Sequence, residues 1–474
     1  TGGDITFNGT LNDAFDGTVN ISADRTLTFA DGWTNSGTLN MNTGTTTATL
    51  AGGAMTTSGV ATINVTGTGV AVVSENSTLN SGFTATVDAG ETINFSGGGT
   101  FNGGTITGAG RGETDGNWTY TGTTTLDVAT LDWDGGFLGH THTINAGATL
   151  NINSNIADAM DDAVVVNGTL NVNSPSGQWT MSGLMTMNAG TVGGTAEMNL
   201  SGGTIDANGS GNTVSAPIEI FSTGSIVLTN AGDQLALSGP ITYRGGSYTG
   251  AGLLRQFGDA TVAASTTINT GEYDWDGGGT VVTTVNSGAT FTINSTTIDA
   301  FGTNDYDGTA NVAGALVVNP TTNWQLDGSV NLMSGSANLS GRAFEITNVG
   351  ALTGFGSVTS TTINNNGTIA ANGGTLTINT TNFSDLDGSN ENGVLSAMTG
   401  GLRILGNFGA EFAFDGTINI GGGNQFLMAN TGIFNAGTMN MSGGTYNAPT
   451  FTQSGMLAVT AGTNTLASAS QFAA

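Results

Sequence analysis

Apolar and polar residues alternate along short stretches of this chain, and glycine or asparagine separates one stretch from the next. The pattern is clearest in segments 37–42 (GTLNMN), 168–173 (GTLNVN), 416–420 (GTINI) and 437–441 (GTMNM). A period of two places successive side chains on opposite faces of a β-strand, whereas no long stretch sustains the 3.6-residue period of an amphipathic helix. The pattern therefore predicts an all-β protein whose Leu, Ile, Val and Met side chains point inward.

The motif recurs at a nearly constant interval. Gly147, Gly168 and Gly190 are separated by 21 and 22 residues, and Gly416 and Gly437 by 21. A unit of about 20 to 23 residues fits one coil of three strands and three turns, and such a coil buries its apolar side only against its neighbours. We therefore predict a single continuous parallel β-helix, or β-solenoid, over residues 1–474, with roughly 21 coils. Right-handed coils are expected from the handedness of parallel crossover connections.

Two longer similarities lie above the coil repeat. Segment 131–190 resembles 273–335, and the two begin with LDWDGG and YDWDGG. Segment 14–41 resembles 413–441, and the two begin with AFDGTVNI and AFDGTINI. No helical or charged cap is recognisable at either end of the sequence, and uncapped end coils expose strand edges to other chains. We therefore expect head-to-tail self-association.

Composition restricts the possible partners. The chain has 34 acidic and six basic residues, a net charge of −28, and all six basic residues are arginine. So few cations cannot displace counterions from phosphates, and no nucleic-acid partner is expected. Cysteine is absent, and no apolar run approaches the 18 residues of a transmembrane helix. The chain opens on a strand-like sequence, which we interpret as part of an exported protein whose signal has been removed.

The GTLN-x-N segments resemble the repeats of bacterial β-strand-repeat surface proteins, including autotransporter passengers and haemagglutinin-like adhesins. The resemblance covers nearly the whole chain and rests on the coil pattern. It implies a right-handed parallel β-helix at the bacterial cell surface or in the extracellular space. It also implies a role in adhesion, aggregation or a biofilm matrix.

Paired aspartates are the first candidate site. In the two DWDG motifs a pair of carboxylates lies two residues apart: Asp132 with Asp134, and Asp274 with Asp276. Residues two apart on a strand share a face, and Ca²⁺ prefers carboxylate oxygens, so calcium is the candidate cofactor although none is required. A glycosidase pair is the catalytic alternative, and a structural corner that caps turn N–H groups is the non-functional one. Asp385 and Asp387, in segment 385–390 (DLDGSN), resemble part of a calcium-binding loop, and Asp305 and Asp307 form a similar loop. A solvated turn is the non-functional alternative for both loops.

Aromatic, histidine and threonine residues supply weaker candidates. Trp133 and Trp275 are candidate glycan-binding residues, and recurrent tryptophans in a regular repeat also fit the core. His140 and His142 have a spacing that suits a metal, but without a third ligand we expect an exposed loop pair. Threonine-rich stretches such as 45–49 are typical of ice-binding faces, which need a threonine in every coil. Because the threonines are scattered along the sequence, no such face is expected.

These features support three functions. The first is a non-catalytic extracellular structural protein, a β-solenoid subunit of a surface fibre, sheath or matrix whose partner is a further copy of itself. The second is an adhesin passenger that binds glycans or cell surfaces. The third is a polysaccharide-degrading β-helix enzyme, which rests on fold analogy alone. A lyase site that combines aspartates with lysine or arginine bases is poorly supported, because the chain has no lysine and its arginines are scattered.

Overall fold

Parallel strands make up the structure, a computed structural model that describes residues 3–9, 13–133, 139–275, 281–295, 298, 305–384, 393–406, 412–429, 433–435, 437–453 and 455–472. Within these residues the fold is all-β without a helix, and the strands stack into a β-solenoid of about 20 turns, as the repeat predicts. The described chain therefore has no helix long and apolar enough to cross a membrane. Contacts divide the chain into two compact units, Thr1–Gly239 and Pro240–Ala474.

The N-terminal unit contains strands β1 Ile5–Phe7, β2 Thr18–Ile21, β3 Arg25–Phe29, β4 Trp33–Asn35, β5 Thr38–Gly44, β6 Thr47–Gly52, β7 Met55–Thr57, β8 Thr62–Gly67, β9 Val70–Val73, β10 Ser77–Leu79, β11 Thr84–Val87, β12 Thr92–Phe95, β13 Gly99–Phe101, β14 Gly104–Glu113, β15 Trp118–Tyr120, β16 Thr123–Asp132, β17 Thr141–Ile144, β18 Thr149–Ile152, β19 Asn155–Ile156, β20 Ala163–Val166, β21 Thr169–Val172, β22 Gln178–Met181, β23 Leu184–Asn188, β24 Thr191–Gly193, β25 Glu197–Leu200, β26 Thr204–Asn208, β27 Asn212–Val214, β28 Ile218–Phe221, β29 Ser225–Leu228 and β30 Gln234–Leu237.

The C-terminal unit contains strands β31 Ile241–Arg244, β32 Ser247–Gln256, β33 Ala260–Ala264, β34 Thr266–Asp274, β35 Val282–Val285, β36 Thr290–Ile293, β37 Asp305–Tyr306, β38 Thr309–Val312, β39 Ala315–Val318, β40 Trp324–Leu326, β41 Ser329–Gly341, β42 Phe344–Ile346, β43 Ala351–Asn365, β44 Thr368–Ser384, β45 Val394–Thr399, β46 Leu402–Leu405, β47 Phe412–Phe414, β48 Thr417–Gly421, β49 Gln425–Met428, β50 Ile433–Asn435, β51 Thr438–Ser442, β52 Thr445–Gln453, β53 Met456–Ala461 and β54 Thr465–Phe472.

Each coil contributes three strand segments, and each segment pairs in parallel with its equivalent one coil later. In the N-terminal unit β2 pairs with β5, β5 with β8 and β8 with β11, while β3 pairs with β6 and β6 with β9. In the C-terminal unit some long strands continue around the corners of a coil. For example, β43 pairs with β44 along three successive segments. Because the segments are parallel, every coil faces the next one in the same direction.

The alternating pattern explains the core. In β21, Leu170 and Val172 are fully buried, whereas the polar residues between them are partly exposed. Leu170 lies on Leu150 of the coil before, and Val172 on Ile152. Burying such an aliphatic side chain contributes about 1.5 to 3 kcal/mol, so stability comes from stacked columns of side chains one coil apart.

The glycine that opens the repeated motif is required by close backbone approach between coils. A Cβ at Gly37 would lie 2.1 Å from the carbonyl oxygen of Gly17, and one at Gly168 would lie 2.3 Å from that of Asn145. Neither glycine has a positive φ. A larger residue at these positions would therefore push the preceding coil away, whatever its backbone preference.

Segments 14–41 and 413–441 pair in the same way. β2 and β5 place Asn40 beside Asn20, and Asn40 Nδ2 donates to Asn20 Oδ1 at 2.8 Å. β48 and β51 place Asn440 beside Asn419 with the same bond at 2.9 Å. The sequence similarity thus corresponds to the same strand register and the same outward amide ladder.

Candidate functional site

The first residue of the first DWDG motif, Asp132, forms an ion pair. Asp132 closes β16, and in the coil before it Arg111 and Glu113 lie opposite Thr130 and Asp132. The Arg111 guanidinium contacts the Asp132 carboxylate and lies 3.1 Å from Glu113 Oε1 through its Nε. The Arg111 side chain is 42 % exposed. The carboxylate that the sequence offers as a metal ligand is therefore bound to an arginine from the neighbouring coil.

Two further acidic side chains surround this pair. Asn94 Nδ2 donates to Glu113 Oε2 at 3.0 Å and to Asp115 Oδ2 at 2.9 Å. Burial raises the pKa of Glu113 above its usual value, the Arg111 charge opposes that rise, and Asp132 and Asp115 add to it. Arg111 and Asn94 thus hold together a group of carboxylates that would otherwise repel one another.

The second copy repeats the ion pair in a more buried setting. Arg255 of β32 lies directly opposite Asp274 of β34, and its Nε is 2.8 Å from Asp274 Oδ2. The Asp274 side chain is fully buried, and that of Arg255 is 23 % exposed. The geometry favours the structural corner over a calcium site for Asp132 and Asp274. Their partners in the motif, Asp134 and Asp276, lie outside the described residues, as do Asp385 and Asp387.

Trp133 and Trp275 are buried in the core rather than displayed to a ligand. Trp133 lies 4.4 Å from the ring of His142, and Trp275 stacks on Tyr306 at 3.8 Å between ring centroids. Trp275 also donates its Nε1–H to Thr283 Oγ1 at 3.1 Å. Because other side chains cover both indoles, a sugar ring has no face on which to stack, and the structure supports the core interpretation.

The two histidines do not form the expected exposed loop pair. His142 lies in β17 between Trp118 and Val164 of the adjoining coils, and it is fully buried. Burial, with a smaller contribution from the neighbouring His140, lowers the pKa of His142 to about 3. His140 is partly exposed, with Nδ1 3.6 Å from Asp162 Oδ2. The prediction was wrong for His142, because it occupies an inward position of β17, whereas His140 precedes the strand and stays partly exposed.

Asp305, Asp307 and Asp327 bring three carboxylate oxygens within 4.8 Å of one another, and this is the one such group among the described residues. The sequence identifies Asp305 and Asp307 as candidates. Asp327 comes directly after β40, and the pairing of β37 with β40 brings it beside them. Burial raises the pKa of Asp307, and the charges of Asp305 and Asp327 add to the rise. A cation would relieve that repulsion, and carboxylate oxygens suit Ca²⁺.

A buried carboxyl group lies among the first coils of the N-terminal unit. Glu75 Oε2 accepts the indole N–H of Trp33, two coils away, at 2.9 Å. Glu75 is 1 % exposed, and its Oε1 has no hydrogen-bond partner among the described residues. Burial raises the pKa of Glu75 to about 7, and the bond from Trp33 opposes that rise.

We expect Glu75→Gln to stabilise the N-terminal unit in mild alkali by about 3 kcal/mol, because one pKa unit corresponds to about 1.4 kcal/mol. The pKa of Glu75 is about 7 in the folded chain and 4.5 ordinarily, so the folded chain holds the proton more tightly than the unfolded chain. The stabilisation of the fold by this proton is complete below pH 4.5 and is lost as the pH rises to 7. Urea denaturation at pH 4 and pH 8 measures the effect. The exposed Asp88→Asn is the control, and a Glu75→Gln gain that is equal at both pH values would contradict the assignment.

Threonines form continuous columns that the sequence does not reveal. Six successive coils of the N-terminal unit stack Thr18, Thr38, Thr62, Thr84, Thr105 and Thr125. A second column stacks Thr34, Thr56, Thr78, Thr100, Thr119 and Thr143. The expectation of scattered threonines was wrong, because the intervals between them match the varying lengths of individual coils.

No protein-family model matches the sequence, and no curated protein is similar to it. The fold itself defines the class, which is the parallel β-solenoid repeat protein.

Proposed function

We propose that this protein is a non-catalytic structural solenoid of the bacterial cell surface or extracellular matrix, whose copies associate head to tail through their end strands. The observation that carries the proposal is the equivalence of β2 and β48. Both strands read Thr-apolar-Asn-Ile, and both pair on one edge with the strand of the next coil in the same register. What lies on the other edge of β48 therefore indicates what fits β2.

That other edge of β48 is occupied by β45. Val394 lies opposite Thr417, Leu395 opposite Ile418 and Ser396 opposite Asn419. The corresponding edge of β2 has no strand beside it in the part of the chain that the structure describes. An unpaired edge is a template for a further parallel strand, since its N–H and C=O groups remain available.

A strand resembling β45 lies at the other end of the described chain. β53 reads MLAVTA where β45 reads VLSAMT, so both begin with an apolar residue, leucine and a small residue. Among the described residues β53 pairs with β51 alone, which leaves its far edge open, and Met456 and Val459 are each 59 % exposed. We infer that β53 of one copy pairs with β2 of another copy in the same way that β45 pairs with β48.

Packing and charge support this contact. A cavity of about 300 Å³, lined by Val19, Ile21 and Leu27 among others, lies at β2 and would receive Leu457 and Val459 from β53. Neither strand contains a charged residue, although the chain carries −28. Only a head-to-tail arrangement keeps the joined strands parallel, and such a heterologous contact repeats without closing unless its rotation forms a ring. The product is a filament.

Disulfide trapping tests the register, and it is clean because the chain has no cysteine. The β45–β48 pairing places Ala458 opposite Asn20. We therefore expect a mixture of Asn20→Cys and Ala458→Cys chains to form mixed dimers under mild oxidation, since partners in adjacent strands lie within disulfide reach. Mass spectrometry of the linked peptides identifies the pair.

Two controls separate this contact from other associations. Val60 is 77 % exposed and lies away from both end strands. A mixture of Val60→Cys and Ala458→Cys chains should therefore not cross-link. Asn20→Cys alone should not cross-link, because the head-to-tail contact places position 20 opposite Ala458 rather than opposite another copy of position 20. Equal cross-linking in all mixtures, or monomers at every concentration and salt level in sedimentation, would rule out the proposal.

A further inference from the structure

A groove follows one corner of the C-terminal unit across four successive coils. Three adjoining cavities of about 480, 140 and 320 Å³ form it. The first and second share Asn323 and Ala343, and the first and third share Gly341 and Thr361. The concavity is therefore continuous along the corner.

Most of the residues that line the groove carry a side-chain amide or hydroxyl, with Asn319, Asn364, Asn379 and Thr359 as examples. Each amide offers both donors and acceptors, and each hydroxyl offers one donor and two acceptor sites. This mixture complements the hydroxyl groups of a sugar. Trp324 and Phe344 also line the groove, but they are buried beneath it and contribute to its floor.

Arg342 supplies the positive charge of the groove. Its backbone N–H donates to Val318 O at 2.9 Å, and its carbonyl accepts the Ser360 hydroxyl at 2.9 Å, so the corner that carries it is fixed. Arg342 is exposed and makes no ion pair with any described residue, whereas Arg111 and Arg255 are both paired with aspartates. A guanidinium group matches a carboxylate in shape as well as charge.

Negative charge limits what this arginine can bind. Glu345 lies in the same groove, where Asn366 Nδ2 donates to its Oε1 at 2.9 Å and Gln325 Nε2 to its Oε2 at 3.4 Å. Its carboxylate is thereby held as an acceptor for ligand hydroxyls. The single Arg342 charge beside this carboxylate cannot offset a net charge of −28. A polymer with a negative charge on every sugar would therefore be repelled.

We propose that this groove binds an oligosaccharide carrying a single carboxylated sugar, with the carboxylate on Arg342 and the sugar hydroxyls on the surrounding amides and hydroxyls. The site is a lateral binding function that is independent of the end strands. A sialic acid and a uronic acid share the required chemistry.

Isothermal titration calorimetry of the whole chain tests the site with two acidic probes, 3′-sialyllactose and a xylotetraose bearing one glucuronic acid. Lactose and xylotetraose are the neutral counterparts. We expect one of the acidic probes to bind at least tenfold more tightly than its counterpart, and the probe that binds identifies the sugar. Arg342→Gln should weaken that binding at least tenfold.

Arg403→Gln is the matched control, since Arg403 is also an exposed arginine of the C-terminal unit and does not line the groove. It should leave binding unchanged, and thermal melting of both variants checks that they fold. The proposal is overturned if neither acidic probe binds, if the neutral sugars bind equally well, or if the two variants lose affinity alike.

Discussion

Acidification from pH 7 to pH 4 is expected to cost the N-terminal unit about 3 kcal/mol through His142 alone, and His142→Leu should remove that part of the loss. The imidazole is fully buried between coils, and its pKa of about 3 lies far below the ordinary 6.5. A depressed histidine pKa means that the unfolded chain binds the proton more readily. The stabilisation is therefore complete above pH 6.5 and is lost as the pH falls towards 3, where the loss reaches about 4 to 5 kcal/mol.

Hydrogen exchange in β15, β17 and β20 at the two pH values, corrected for intrinsic exchange, measures local stability where His142 packs. His140→Gln is the matched control, because His140 is partly exposed beside Asp162 and should leave most of the acid sensitivity in place. The assignment fails if the wild-type chain and His142→Leu lose the same stability between pH 7 and pH 4.

Removing Arg255 is expected to destabilise the C-terminal unit by about 3 to 5 kcal/mol, the usual effect of leaving one charge of a buried pair without its partner. Arg255→Met leaves the fully buried Asp274 carboxylate without the guanidinium at 2.8 Å. Asp274→Leu should cost less, since the Arg255 side chain is partly exposed and can be hydrated. The double variant should recover most of the loss, because apolar side chains replace a buried pair with little penalty.

The first copy of the motif provides the control. Arg111→Met removes the equivalent arginine, but that side chain is nearly half exposed, so water screens the pair and the expected loss is below about 2 kcal/mol. Urea denaturation at pH 7, followed by hydrogen exchange in each unit, compares the variants. Equal losses for Arg111→Met and Arg255→Met would show that burial does not set the strength of these pairs.

The candidate site could be predicted from the sequence only in part. The repeated DWDG motif singles out Asp132 and Asp274, but their arginine partners lie 21 and 19 residues earlier, in the coil before. Arg111 is opposite Thr130, whereas Arg255 is directly opposite Asp274, so no single offset identifies both. The groove at Arg342 left no signal in the sequence, because it is formed by corner residues of four coils that are far apart along the chain.

What the sequence determined by itself is local: the all-β fold, the coil of about 22 residues and the inward positions of residues such as Leu170 and Val172. These follow from a period of two and from turn residues, which act within a few positions. The tertiary structure decided which side chains meet. It buried His142 and Trp275, aligned the threonine columns and placed Gly37 against the carbonyl of Gly17. The physical reason is that contacts between coils depend on the register of parallel strands, and each change in coil length changes the sequence interval between the residues that meet.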